Sequence, residues 1–387
     1  MNILHSALAG LIGLGCAQVA SAQISSTTLT AFNQAVETGD ASAIEVASTN
    51  LMNEAIANPD DPDALIAAYE AALKLCDIDC AAALPGAEFA LGFPATGQHP
   101  IMAERELLAA FAAFSRESNR RTRNRLEAAL SDLQDPTLLS ARAFFPLYSD
   151  YGERSDLDAA ARIAGMAVSH LRPVRSSVPE FYFHALETHA TTFFLDEKSR
   201  ESHEAMVRWH AEMKQVYSNI ERGDRPEWLT SNYWRSEAWI GTVDAFVRGT
   251  SHLASRRGPS RERLEFLSEA EVQQIYAEFP QTESSQTSSF SGLPHCDGEL
   301  IRPDGFYYPS RASYDGMVGS VIAKFRFDEE GHVHDVEVLA SVPPDVFDDS
   351  VLDASSSWYY QVAEGVDLST CRLDHENVIL PITFQMR

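Results

Sequence analysis

Ser320-Val321-Ile322-Ala323-Lys324-Phe325-Arg326-Phe327, then Asp328-Glu329-Glu330-Gly331, then His332-Val333-His334-Asp335-Val336-Glu337-Val338, is where the pattern of this 387-residue chain changes period. Val321, Ala323, Phe325 and Phe327 alternate, as they must on a strand with one buried face. The acidic run ending in Gly331 is turn chemistry, and Val333, Val336 and Val338 lead the returning strand to Leu339 and Ala340. A hairpin is therefore expected here. Toward the C-terminus, Val346, Phe347, Val351, Leu352, Ala354 and Trp358 fall near one side of an expected helix over 346–360, and a last strand is expected over 377–386.

Toward the N-terminus the alternation stops. Residues 280–293, with Gln281-Thr282-Glu283-Ser284-Ser285-Gln286-Thr287-Ser288-Ser289, are polar and aperiodic, the composition of a Ser/Thr-rich linker. Before them, from about 27 to 279, apolar residues recur at helical spacing. In 63–75, Leu65, Ala68, Tyr69, Ala72 and Leu73 share one face, and similar stripes run through 103–114, 119–133, 156–171, 180–194, 199–220 and 229–246. Asn58-Pro59-Asp60, Asp135-Pro136, Arg172-Pro173 and Gly223-Asp224-Arg225-Pro226 punctuate them. Helices of this length joined by short polar turns stack as antiparallel hairpins, so the expected fold is multidomain. It comprises an all-α helical-repeat region over 23–279, a tetratricopeptide-like solenoid, then the linker 280–293, then a small α+β domain over 294–387. The tetratricopeptide likeness is confined to the unit at 58–75, because no period of 34 residues is sustained.

The order of residues in the last quarter is similar to that of the TonB C-terminal domain family. Tyr308-Pro309-Ser310-Arg311-Ala312, Gly316, Gly319, the hairpin with Gly331, Phe347-Asp348, Trp358 and Leu380-Pro381-Ile382-Thr383-Phe384 carry the resemblance. It implies a non-enzymatic interaction module whose exposed strand near the C-terminus pairs with an extended peptide of an outer-membrane receptor. Here that strand edge is Val378, Ile379, Leu380, Pro381, Ile382, Thr383 and Phe384, and a proline in a strand needs an edge or a bulge. The sequence also departs from the family. Residues 294–387 hold 6 basic and 17 acidic side chains, 6 − 17 = −11, and helices stand where a proline-rich spacer is usual.

Fifty-six Asp plus Glu against 30 Lys plus Arg give a formal charge of −26, which argues against nucleic acid as a partner. The content is 45% apolar and 10% aromatic, enough for packed cores. Residues 3–20 are apolar and close on Ala20-Ser21-Ala22, so 1–22 reads as a signal peptide and the mature chain as periplasmic or secreted. Retention of this leader would instead give an inner-membrane-anchored energy transducer, with the membrane as a contact. Beyond the leader, Cys76, Cys80, Cys296 and Cys371 suggest disulfides joining 76 with 80 and 296 with 371. Cys76 and Cys80 lack the second Cys or His pair of a tetrahedral zinc site.

Enzyme chemistry is sparse. His203-Glu204 and His210 are spaced by seven where a zinc peptidase needs four, and His184 and His189 are five apart, off a common helical face. His332 and His334 share a strand face beside Asp335, an arrangement open to weak metal capture at most. Trp228, Tyr233, Trp234 and Trp239 read as core at helical spacing. No nucleophile elbow or phosphate loop is present. The expectation is a chain with no catalytic residues, no metal and no cofactor, whose partner is a protein or an extended peptide.

Overall fold

The computed structural model describes residues 23–92, 104–256, 265–280, 294–303 and 305–385. The expected leader at 1–22 and all of the expected linker except Pro280 lie outside these. The chain groups into two compact units, residues 1–135 and 136–387.

The first unit holds α1 (Ser26–Thr38), α2 (Ala41–Ala57), α3 (Ala64–Cys76), α4 (Leu84–Ala90), α5 (Arg105–Arg116) and α6 (Arg120–Asp132). Each packs on the next. Their ends are set locally. The Ser25 side chain accepts the Thr28 N–H, Gly39 closes α1 in the left-handed conformation, and Asp40 at once caps α2 through the Ala43 N–H. The interior is rich in alanine, with Ala55, Ala64, Ala68, Ala71, Ala72 and Ala110 fully buried around Leu51, Tyr69, Leu75, Leu107 and Leu108. Such small side chains let helix axes approach closely. The structure pairs Cys76 at the end of α3 with Cys80.

The second unit begins with α7 (Leu138–Glu153), α8 (Leu157–Leu171), α9 (Pro179–Asp196), α10 (Arg200–Asn219), α11 (Glu227–Arg256) and α12 (Glu269–Glu278). Capping boxes start three of them, at Thr137/Ser140, Ser199/Ser202 and Ser268/Glu271. Helices α7 to α11 pack in sequence and α12 packs on α10. The observed α3, α5, α6, α8, α9, α10 and α11 fall on the expected stripes. The all-α region and the α+β region are both as expected.

The α+β part comprises β1 (Gly298–Ile301), α13 (Ser310–Asp315), β2 (Gly319–Phe327), β3 (Val333–Val342), α14 (Asp348–Ser355), β4 (Tyr359–Val362) and β5 (His375–Phe384). Strands β2 and β3 form the hairpin, and the antiparallel sheet runs β3-β2-β5. A second, two-stranded antiparallel sheet pairs β1 with β4. Cys296 and Cys371 are paired just outside it.

The expected helix over 346–360 is shorter than its apolar pattern suggested. It stops at Ser355, where the hydroxyls of Ser355, Ser356 and Ser357 donate back to the carbonyls of Leu352, Asp353 and Ala354. Side chains that satisfy the backbone locally compete with further helical turns. Trp358 sits in the turn that follows, and Tyr359-Tyr360-Gln361-Val362, rich in strand formers, joins β1.

Candidate functional site

The side chains of β5 alternate across two environments. Val378, Leu380, Ile382 and Phe384 face the domain's own core with Val321, Ala323, Phe325, Phe327, Phe347 and Trp358. Ile379 faces the other way, toward a cluster of Ala238, Ile322 and Val342 with Trp234 and Trp239. Pro381 and Thr383 are exposed.

Helix α11 contacts β2, β3 and β5 alike, so it crosses the second face of the sheet and does not run along an edge. Gly241 makes this approach possible: a Cβ there would lie 2.7 Å from Ser320 Oγ and 3.6 Å from Thr383 Oγ1. The next residue, Thr242, donates its hydroxyl to the carbonyls of Ala238 at 2.9 Å and Val342 at 3.4 Å. Sequence reading missed this docking, and the Gly241-Thr242 pair in an otherwise bulky stripe was its one local sign.

One side of β5 is paired with β2 from Gly319↔Phe384 to Phe327↔His375. Among the described residues, no strand pairs with its other side. That edge offers backbone donors and acceptors along an extended segment, the geometry to which another extended chain adds. Pro381 fits there, since a proline cannot serve in the interior of a sheet.

The residues of the family-like motif are mainly architectural. Tyr308 donates its hydroxyl to the Met317 carbonyl and packs edge-on against Phe347 and Phe384. Pro309 precedes α13, Ala312 is buried in the core and Gly316 ends α13 with φ 67°. At Gly319 a Cβ would lie 2.3 Å from the Phe347 ring. Gly331 has φ 83° in the hairpin turn, where Asp328 accepts the N–H groups of Glu330 and His332. Trp358 is buried edge-on to Phe306 and Phe325. Arg311 is the exception: 93% of its side chain is exposed, with Asp315 at 3.8 Å.

The histidines are held as structure. His184 meets the Tyr148 hydroxyl at 2.8 Å, His189 the Ala161 carbonyl at 2.9 Å, and His334 meets Asp328 at 2.7 Å. Buried His203 accepts the Leu267 N–H, and burial together with the Arg200 charge lowers its pKa to about 4. His210 lies between Tyr276 and Glu237. Among the described residues no group of three or more His, Cys, Asp or Glu is placed to hold a metal. The aromatic group of α11 is packed: Tyr233 stacks on Tyr217 at 3.9 Å, Trp228 stacks on Phe183, and Trp234 and Trp239 lie against the sheet. No described helix is long and apolar enough to cross a membrane.

A hairpin sheet with a short helix on one face and a C-terminal strand that, among the described residues, is paired on one side alone makes a small α+β domain. Residues 304–372 match the family described as Gram-negative bacterial TonB protein C-terminal. Protein TonB of Pseudomonas aeruginosa is 33% identical over 86 residues, 21% of this chain and 25% of that protein. The chain thus spans about a quarter of the length of that curated relative. Residues 304–372 are thus similar to a TonB C-terminal domain, and the matched segment ends just before β5.

Proposed function

We propose that this is a periplasmic, non-enzymatic interaction protein whose β5 edge pairs with an extended peptide of an envelope or outer-membrane transport partner. The observation that carries the reading is the edge of β5 with which no described strand pairs, in a sheet whose other two strands lie within the segment similar to the TonB C-terminal domain. Affinity would come from main-chain hydrogen bonds, and selection from the side chains flanking the edge, Glu376, Pro381 and Thr383 among them. The acidic balance of 294–387 favours peptides that carry positive charge. No cofactor enters this mode of binding.

The test is titration of the full mature chain with extended peptides from the N-terminal ends of outer-membrane receptors, read by amide exchange. Saturable binding with new protection on 378–384 is expected. Absence of binding at millimolar peptide sinks the reading. A mature chain beginning at Gln23, seen by mass spectrometry, is expected for a released periplasmic protein. A chain that keeps 1–22 favours the membrane-anchored transducer.

A further inference from the structure

Helix α12 has 10 residues, and its apolar side chains Val272, Ile275 and Tyr276, with Phe279 just after it, recur on one helical face. A helix this short is marginal in water by itself, so it exists by virtue of what it packs against. It rests on α10, where Val207 and Ala211 meet Leu267 and Ile275, with Ile240 of α11 at the margin.

Polar contacts fasten it in two ways. On the outside, Arg200 pairs with Glu271, and Arg208 pairs with Glu278 at 2.7 Å. These pairs are well exposed and each adds little. Two histidines of α10, one heptad apart, hold the two ends. At the start, His203 Nδ1 accepts the Leu267 N–H at 3.2 Å, in a site that leaves the residue 2% exposed. Its Nε2 is buried and has no hydrogen-bond partner among the described residues. Phe266 lies edge-on to the ring, and Phe246 of α11 lies behind Phe266. The charged neighbour is Arg200, itself surrounded by Glu201, Glu204 and Glu271. Among the described residues no carboxylate pairs with His203. A proton on Nδ1 would therefore turn an acceptor into a donor facing a donor, and would bury a charge beside a guanidinium.

The other end is built differently. His210 Nδ1 meets the Tyr276 hydroxyl of α12, and its Nε2 lies 3.1 Å from Glu237 of α11. Asp244 of α11 is close by, and Lys214 lies 6.0 Å from the centre of the Tyr276 ring. A proton added to His210 meets a carboxylate, so this end keeps its hold in acid.

We propose that α12 is an acid-opened strap. Protonation of His203 frees the Leu267 end, the helix unwinds, and Val207 and Ala211 of α10 are uncovered while the rest of the helical layer stays folded. This opening is a property of the helices and does not depend on peptide pairing at β5. Burial and Arg200 hold the His203 pKa at about 4, below the ordinary imidazole value. The strap is thus fully closed above about pH 6.5 and loosens as pH falls toward 4.

The test is amide exchange of the full mature chain at about pH 7.4 and about pH 5, corrected for the intrinsic pH dependence of exchange. Residues 267–279 should lose protection by about tenfold or more, with α8, α9 and β2 unchanged. His203→Gln, whose amide oxygen can still accept the Leu267 N–H, should keep 267–279 protected at both pH values. His210→Gln should leave the acid response in place. No loss of protection in 267–279, an equal loss throughout α8 to α10, or a full acid response in His203→Gln overturns the proposal. If His203→Gln does not fold, the parental comparison decides by itself.

Discussion

One face of the β3-β2-β5 sheet is covered by residues from its own stretch of chain, Phe325, Phe327, Phe347, Trp358 and Phe384, with Phe306 and Tyr308 at the margin. The other is covered by α11, whose Thr242 reaches the Val342 carbonyl across 100 positions of sequence. The polar content differs as well. Among the described residues, the helices bury His203, His210, Glu212 and Asn232, whereas the α+β part buries only serines as polar groups. The aromatic core is therefore built from its own stretch of chain. The helical layer depends on distant contacts and is where imidazole and carboxylate side chains are buried.

Breaking the first face should cost most. Trp358→Ala removes a fully buried indole and should destabilise the domain by about 3 to 5 kcal/mol, with a matching fall in the urea midpoint. A loss below about 1 kcal/mol would mean that the aromatic cluster is not what holds the sheet.

Breaking the second face should cost less and act elsewhere. Gly241→Leu drives a side chain into Ser320 and Thr383 and should cost about 2 kcal/mol, an overpacking penalty. Exchange should speed up in α11 and on the Ile322 side of the sheet while Trp358 fluorescence stays native. Simultaneous loss of both would show that the two faces are one cooperative unit.

Acid should weaken the helical layer through His203. The folded pKa of His203, about 4, lies below the ordinary imidazole value, so the unfolded chain binds the proton more readily. Its contribution to stability is complete above about pH 6.5 and is lost as pH falls toward 4, by about 2 kcal/mol for the helical layer. The His203–Leu267 bond at the start of α12 is the first expected casualty. His203→Gln should flatten the dependence of the urea midpoint between pH 7 and 4.5. An unchanged slope assigns the acid sensitivity to another group.

The smallest effect belongs to the solvent. Lys324 and Glu337 pair at 3.0 Å across β2 and β3, yet both are well exposed. Lys324→Ala should shift stability by less than about 0.5 kcal/mol. A larger loss would give the exposed sheet surface an importance that this comparison denies it.

Much of this was legible residue by residue. The stripe Leu65, Ala68, Tyr69, Ala72 and Leu73 yields α3 because one buried face over three turns leaves little choice of period. Gly331 after three acidic residues yields the hairpin because few side chains tolerate its conformation. What escaped has physical reasons. Helix α7 has Pro146 in its interior, which obscures its period. Strands β1 and β4 have four residues each, too few for alternation to stand out, and the three serines that end α14 look neutral in a periodic pattern. The β5 side chains were legible as strand, and its position at the edge was suggested by Pro381. The hold of His203 on the start of α12 was not, because His203 and Leu267 are 64 positions apart and meet only on folding.

The crossing of α11 over all three strands also bears on mechanics. A tension applied through a chain laid along β5 would run parallel to its ladder with β2. The paired positions between Phe384 and His375 would then bear load together, and would not unzip one by one. Part of that load would pass through Thr383 and Ile379 into a 30-residue helix, which acts as a stiff beam behind the sheet. The Cys296–Cys371 link lies just before β5 and ties its upstream chain to the start of the domain, so slack on that side is limited.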